Sequence, residues 1–264
     1  QSYLLKKRLE RSVKNNEEEE LKLVKEFIIP GTDTIDVGVY RGVYSFEMSK
    51  YSNLVHAFEP NPLLFINIEK NLKKIIKNIN FYNYALSDQD GLISLKVPIR
   101  NKNHNKENYE EYFQMGKASI HNKNEMNEFE LFDIKRKKLD DFSFSKKISF
   151  IKIDVEGHES EVLKGSEKTI KENHPILLIE IEEQYTQKKV KDTLEYINSL
   201  GYNSFYFKDR DWRFSSQAMG YSFYNRGFKK RIIDLKDAYL ITDLKFNDND
   251  VIIDIGANNG DFYL

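Results

Sequence analysis

The sequence predicts an α/β fold in which a mostly parallel sheet is covered by helices on both faces. Short apolar runs alternate with helical patterns from residue 34 to residue 199, the rhythm of parallel strands joined by crossover helices. The first strand ends in a glycine loop that opens a helix, and an acid stands at the tip of the second strand. A doubly wound sheet binds its ligand at those strand ends. The 264 residues are 40% hydrophobic and 13% aromatic, enough for a core and against wholesale disorder.

The elements follow in order. Leu4, Leu5, Leu9, Leu21, Val24 and Ile28 recur at helical spacing, so residues 3–28 read as helix, stopped by Pro30-Gly31. Residues 34–39, 54–59, 79–86, 148–155 and 175–182 read as strands, and 44–51, 63–77, 159–172 and 188–199 as the intervening helices. The polar, Asn/Lys-rich stretch 98–130 reads as either disordered or a functional lid. Residues 202–228, rich in Tyr and Phe, read as antiparallel strands closing the sheet edge.

No apolar run approaches the roughly 18 residues of a membrane span, and residues 1–26 hold no signal peptide, so the expected location is cytoplasmic. The chain starts at Gln1, which suggests a fragment. With 41 basic and 42 acidic residues the formal net charge is -1, and no nucleic-acid partner is expected. There is no cysteine, which excludes disulfide frameworks, thiolate zinc sites and cysteine nucleophiles.

Three segments carry chemistry. In Ile35-Asp36-Val37-Gly38-Val39-Tyr40-Arg41-Gly42, Gly38 permits a tight turn and Gly42 a close approach at the helix start. The third glycine of the dinucleotide fingerprint is missing. In His56-Ala57-Phe58-Glu59-Pro60-Asn61-Pro62, Glu59 sits about 20 residues after the glycine loop, where a carboxylate can accept from both hydroxyls of a ribose. In Ile151-Lys152-Ile153-Asp154-Val155-Glu156-Gly157-His158-Glu159, strand alternation puts Lys152, Asp154 and Glu156 on one side. A buried lysine must be paired or placed in the site. A Lys152–Asp154 or Lys152–Glu156 ion pair is the structural alternative, and it is compatible with function. Several carboxylates near strand ends could also hold a divalent ion, but no spacing is diagnostic and no metal site is assigned.

These residues resemble the FkbM-type family of S-adenosylmethionine (SAM)-dependent methyltransferases. The matching pieces are Asp36-Val37-Gly38 with Gly42 and Tyr44-Ser45, Ala57-Phe58-Glu59-Pro60-Asn61, and Asn83 with Ala85-Leu86-Ser87-Asp88 and Gly91. Leu139-Asp140-Asp141-Phe142, Ile151-Lys152-Ile153-Asp154-Val155-Glu156-Gly157 with Glu159, and Gly165 follow in family order. The resemblance implies a Rossmann-like class I methyltransferase fold with a seven-stranded sheet. It implies S-adenosyl-L-methionine as cofactor and a hydroxyl of a sugar, glycan or secondary metabolite as acceptor. Asp36, Gly38 and Gly42 would face the methionine part of the cofactor, Glu59 would hold the ribose, Ala85, Leu86, Ser87 and Asp88 would border the adenine, and Asn61 would be a further cofactor-binding residue. Where the family usually has Ala-Asn after the first loop glycine, this chain has Val39-Tyr40.

A hydroxyl acceptor must lose its proton during transfer. Asp154 is the first candidate base, with Lys152 or His158 as alternatives. A non-catalytic cofactor-binding or interaction module is the second reading, and a nicotinamide-dependent oxidoreductase the weaker third. Finally, Asp254, Gly256 and Gly260 repeat the register of Asp36, Gly38 and Gly42. The expected organisation is therefore an N-terminal helical extension over 1–29 and a methyltransferase domain over 30–230. Residues 231–264 would be a linker and the truncated start of a possible second methyltransferase-like domain, poorly anchored in this chain.

Overall fold

The computed structural model describes residues 2–15, 19–100, 112–121, 128–182, 190–207, 220–223, 238–240, 250–252 and 254–256. Much of the polar insertion and of the Tyr/Phe-rich stretch, and the repeat from Ala257 onward, lie outside them. Strands β1 (Asp33–Val37), β2 (Leu54–Phe58), β3 (Ile79–Tyr82), β7 (Ile148–Ile153) and β8 (Ile176–Glu182) are the parallel centre of the main sheet. With β9 (Asn203–Phe207) and β10 (Gly220–Phe223) they give the order β3-β2-β1-β7-β8-β10-β9, the seven strands expected, with β10 antiparallel to both neighbours. Three short strands extend the sheet to ten: β11 (Ala238–Leu240) on β9, β12 (Asp250–Ile252) on β10, and β13 (Asp254–Gly256) on β8. The segment expected to be poorly anchored is therefore paired along its backbone, Asp254–Gly256 running parallel to Glu180–Glu182.

Strand alternation sends Ile35, Val37, Ile151, Ile153, Leu177 and Ile179 to one face. There they meet α5 (Glu159–Lys164), α6 (Glu167–Asn173) and α7 (Val190–Ser199) through Val162, Leu163, Ile170, Leu194 and Ile197. The opposite face meets α1 (Ser2–Asn15), α2 (Glu19–Phe27), α3 (Val43–Met48) and α4 (Pro62–Leu72). Leu9, Leu21, Val24 and Phe27 join its core, and the Phe27 ring stacks on Phe150 at 5.9 Å. The N-terminal helices thus close one side of the sheet. Among the described residues no helix is long and apolar enough to cross a membrane.

Several elements differ from expectation for local reasons. The single helix read over 159–172 breaks at Gly165, where a Cβ would stand 1.8 Å from the Ser87 carbonyl oxygen. The strand read over 79–86 leaves the main sheet after Tyr82. Its end, β4 (Ala85–Leu86), pairs instead with β6 (Phe129–Lys137), which pairs with β5 (Gly91–Pro98) in a separate three-stranded sheet. The insertion is therefore framed by two antiparallel strands.

Candidate functional site

Asp36 and Lys152 are register partners on β1 and β7. Both are buried, and Lys152 Nζ reaches the Gly38 carbonyl at 3.0 Å, Asp154 Oδ2 at 2.9 Å and Asp36 Oδ1 at 3.9 Å. Burial alone would lower the lysine pKa, but the carboxylates of Asp154 and Asp36 outweigh it and hold it above its ordinary value. The network thus favours the charged form of Lys152. Burial pushes the Asp36 carboxyl up, against the pull of Lys152 and of the Ser45 hydroxyl that donates to it.

Gly38 turns with φ +83°, and a Cβ there would lie 1.8 Å from the Asp154 carbonyl oxygen. Only glycine lets the first loop press against the end of β7 in this way. A cleft opens above this contact, over the carboxyl ends of β1, β2 and β7. Two of the three non-glycine residues with positive φ among those described, Tyr40 (φ 49°) and Glu156 (φ 53°), stand on its wall. Strained backbone of this kind concentrates at ligand sites. Tyr40 stands where the resemblance leads to Asn, the residue that adopts the left-handed conformation most readily after glycine.

Glu59 lies on the same wall with only 5% of its surface exposed. Its Oε2 accepts from the Tyr40 N–H and its Oε1 from the Asn61 N–H, each at 2.9 Å. Burial pushes its pKa up to about 7, although these two donors and Lys152 pull the other way. Asn61 also caps α4, accepting from the Leu63 N–H at 3.0 Å, with Pro62 at the first helical position. The glycine loop, the acid and the helix start therefore form one hydrogen-bonded unit.

At the end of β7, Glu159 is buried and accepts from the Gly157 N–H at 2.9 Å, and burial raises its pKa to about 8. It holds the turn carrying Glu156. His158, 3% exposed, sets Nε2 3.0 Å from Ser87 Oγ and Nδ1 3.0 Å from His121 Nε2.

Gly38, Glu59, Asn61, Ala85, Leu86, Asp154 and His158 thus meet on the cleft wall. Asp36, Gly42, Lys152, Ser87 and Asp88 are not on it. Gly42 makes room for packing, since a Cβ there would lie 2.3 Å from Leu72 Cδ1. Lys152 braces the floor, and Ser87 orients His158. Tyr40 and Glu156, noted in the sequence without a ligand role, also stand on the wall, as do Met115 and Ile120, which were not singled out from sequence. Met115 Sδ is 3.5 Å from Asn61 Nδ2. The apolar residues Tyr112, Phe113 and Met115 within a polar stretch are the signal that marks this segment. Residues 112–121 therefore cover one side of the cleft.

A family model for the methyltransferase FkbM domain matches residues 36–204. A search of the curated proteins finds no match. Among solved structures, the chain is similar to a methyltransferase FkbM from Methylobacillus flagellatus KT, at 16% identity, TM-score 0.48, over 77% of this chain and 50% of that one. It thus spans half the length of that protein. It is also similar to an rRNA methylase from Streptococcus thermophilus, at 11% identity, TM-score 0.44, over 76% of this chain and 92% of that one. A TehB-like SAM-dependent methyltransferase from Corynebacterium glutamicum ATCC 13032 aligns at 12% identity, TM-score 0.40, over 78% of this chain and 86% of that one.

Proposed function

The chain belongs to the methyltransferase FkbM family, and from that premise we propose that it moves a methyl group from SAM to a hydroxyl of a sugar, glycan or secondary metabolite. The observation that carries the cofactor half is Glu59. A carboxylate fixed by two backbone N–H groups at a strand tip keeps lone pairs for the two hydroxyls of a ribose. Asn61, held against it, lines the same end of the cleft. Ala85 and Leu86 offer an apolar edge for an adenine, and Gly38 lines the end where the methionine part would lie. These groups match a nucleoside joined to an amino acid in polarity.

When bound, SAM supplies a methyl already activated on a sulfonium sulfur. The protein then has to align the acceptor oxygen with that methyl, which is worth up to about 7–11 kcal/mol in well-oriented systems. It must also take the hydroxyl proton. Asp154 is our candidate for the proton acceptor. Its side chain is 28% exposed, lies on the cleft wall, and is steered through Oδ2 by Lys152. Both His158 ring nitrogens already face protein groups, which suits a positioning role better than proton transfer.

The experiment is methyl transfer from labelled SAM to a pool of glycans and hydroxylated metabolites, followed by location of the label. Label on an ether oxygen that disappears in Asp154→Asn supports the reading. SAM binding with no transfer to any hydroxyl would leave a non-catalytic cofactor-binding module in its place.

A further inference from the structure

Three ligand-type side chains converge beside the cleft. His121 ends the described part of the cleft-covering segment, while His158 and Glu161 stand at the start of α5. His121 Nε2 lies 3.0 Å from His158 Nδ1, and His158 Nδ1 lies 3.6 Å from Glu161 Oε2. All three ligand atoms fall within 4.8 Å of one another. Bonds of about 2.0–2.1 Å at tetrahedral angles set ligand atoms about 3.3–3.4 Å apart. The two short separations bracket that spacing.

The surrounding hydrogen bonds orient the His158 ring. Ser87 Oγ donates its hydrogen to Asp88 Oδ1 at 3.2 Å, so it can only accept from His158 Nε2, 3.0 Å away. Nε2 therefore carries the ring proton, and the Nδ1 lone pair points toward His121 and Glu161. Metal-ligating imidazoles are oriented in this way, their other N–H given to a fixed acceptor. Among the described residues, these three are the group of His, Cys, Asp or Glu side chains able to converge on one ion. The chain has no cysteine and five histidines, of which His56 is engaged with Asp33 and Tyr82.

We infer that His121 Nε2, His158 Nδ1 and Glu161 Oε2 form a site for one first-row divalent ion of the Zn²⁺ class. Two imidazoles and one carboxylate are a common ligand set for such ions. The ion clamps the segment that covers the cleft to the start of α5, and because His158 lines the cleft, it stands at the edge of the binding site. The inference rests on these side chains alone and is independent of the methyl-transfer reading.

The test is titration of the metal-stripped 264-residue chain with Zn²⁺ by calorimetry and with Co²⁺ by visible absorption. The expected result is one equivalent of Zn²⁺ and a Co²⁺ spectrum of low-coordinate type. His121→Ala and Glu161→Gln should each weaken binding by at least about tenfold, because each removes one of three ligands. Ser87→Ala, which frees the His158 tautomer, should weaken it by roughly ten- to hundred-fold. Circular dichroism reports whether each variant stays folded. If His121→Ala does not, Glu161→Gln, whose side chain is 15% exposed, decides. Zn²⁺ uptake by the wild type no greater than by the doubly substituted His121→Ala, Glu161→Gln chain would overturn the site. Equal affinity in the wild type and folded Glu161→Gln would do the same.

Discussion

Replacing Glu59 by Gln should abolish a pH dependence of SAM binding that is expected of the wild type. The Glu59 carboxyl is buried, and burial lifts its pKa from 4.5 to about 7. A ribose diol donates best to the ionised form. With a pKa of about 7, roughly one carboxyl in eleven is ionised at pH 6 and about ten in eleven at pH 8. Affinity should therefore fall about tenfold from pH 8 to pH 6, or about 1.4 kcal/mol. Folding stability has the same dependence on pH with the opposite preference. A pKa raised by folding contributes stability that is fully present below 4.5 and lost as pH rises through about 7. In Glu59→Gln the tenfold step should vanish, and affinity at pH 8 should drop by roughly ten- to hundred-fold, the worth of about 1.5–3 kcal/mol for a charge-assisted hydrogen bond. The Gln amide would also turn an N–H toward Tyr40 or Asn61, costing about 1–3 kcal/mol of stability, so thermal melts must accompany the calorimetry. A folded Gln variant with wild-type affinity and the wild-type pH step would refute the ribose assignment.

Other substitutions test the framework around Glu59. Lys152→Met leaves Asp36 and Asp154 without their shared cation and should cost about 3–5 kcal/mol in urea unfolding. A fully stable variant would show that the buried network is not needed. Gly38→Ala and Gly165→Ala each drive a Cβ to 1.8 Å from a backbone oxygen and should lower Tm far more than Gly31→Ala. Gly31 has open space around it and only its φ of +81° to strain, about 1–2 kcal/mol. Similar Tm losses for all three would mean that the close approaches relax freely. Ser45→Ala removes the hydroxyl that donates to the buried Asp36 and should cost about 1–3 kcal/mol, read by the same unfolding curves.

Much of the architecture was legible because it depends on short-range pattern. The alternation of Ile151, Lys152 and Ile153 already separates a core face from a charged one, and β7 keeps that division. The lysine's need for a partner is met by Asp154, one of the two pairings the sequence allowed. What sequence could not reach depends on contacts between distant segments. Gly42 reads like a ligand-facing glycine, yet it is Leu72 that requires its missing side chain. The Tyr40 N–H donates to Glu59 only because the first two strands lie side by side. His121 and His158 are 37 residues apart, with no spacing that announces a shared site. The strand β5 was missed although Ile93, Leu95 and Val97 alternate, since the polar residues that follow overshadow the period. The helix read over residues 3–28 is described over Ser2–Asn15 and Glu19–Phe27, and Leu9 and Leu21 from these two stretches enter one core.

Calorimetric titration of the wild-type chain with SAM and, separately, with NAD addresses the cleft's ligand most directly. The account predicts one equivalent of SAM bound with an affinity that weakens as pH falls through about 7, and no heat from NAD. Saturable NAD binding, with none for SAM at pH 8, would contradict it.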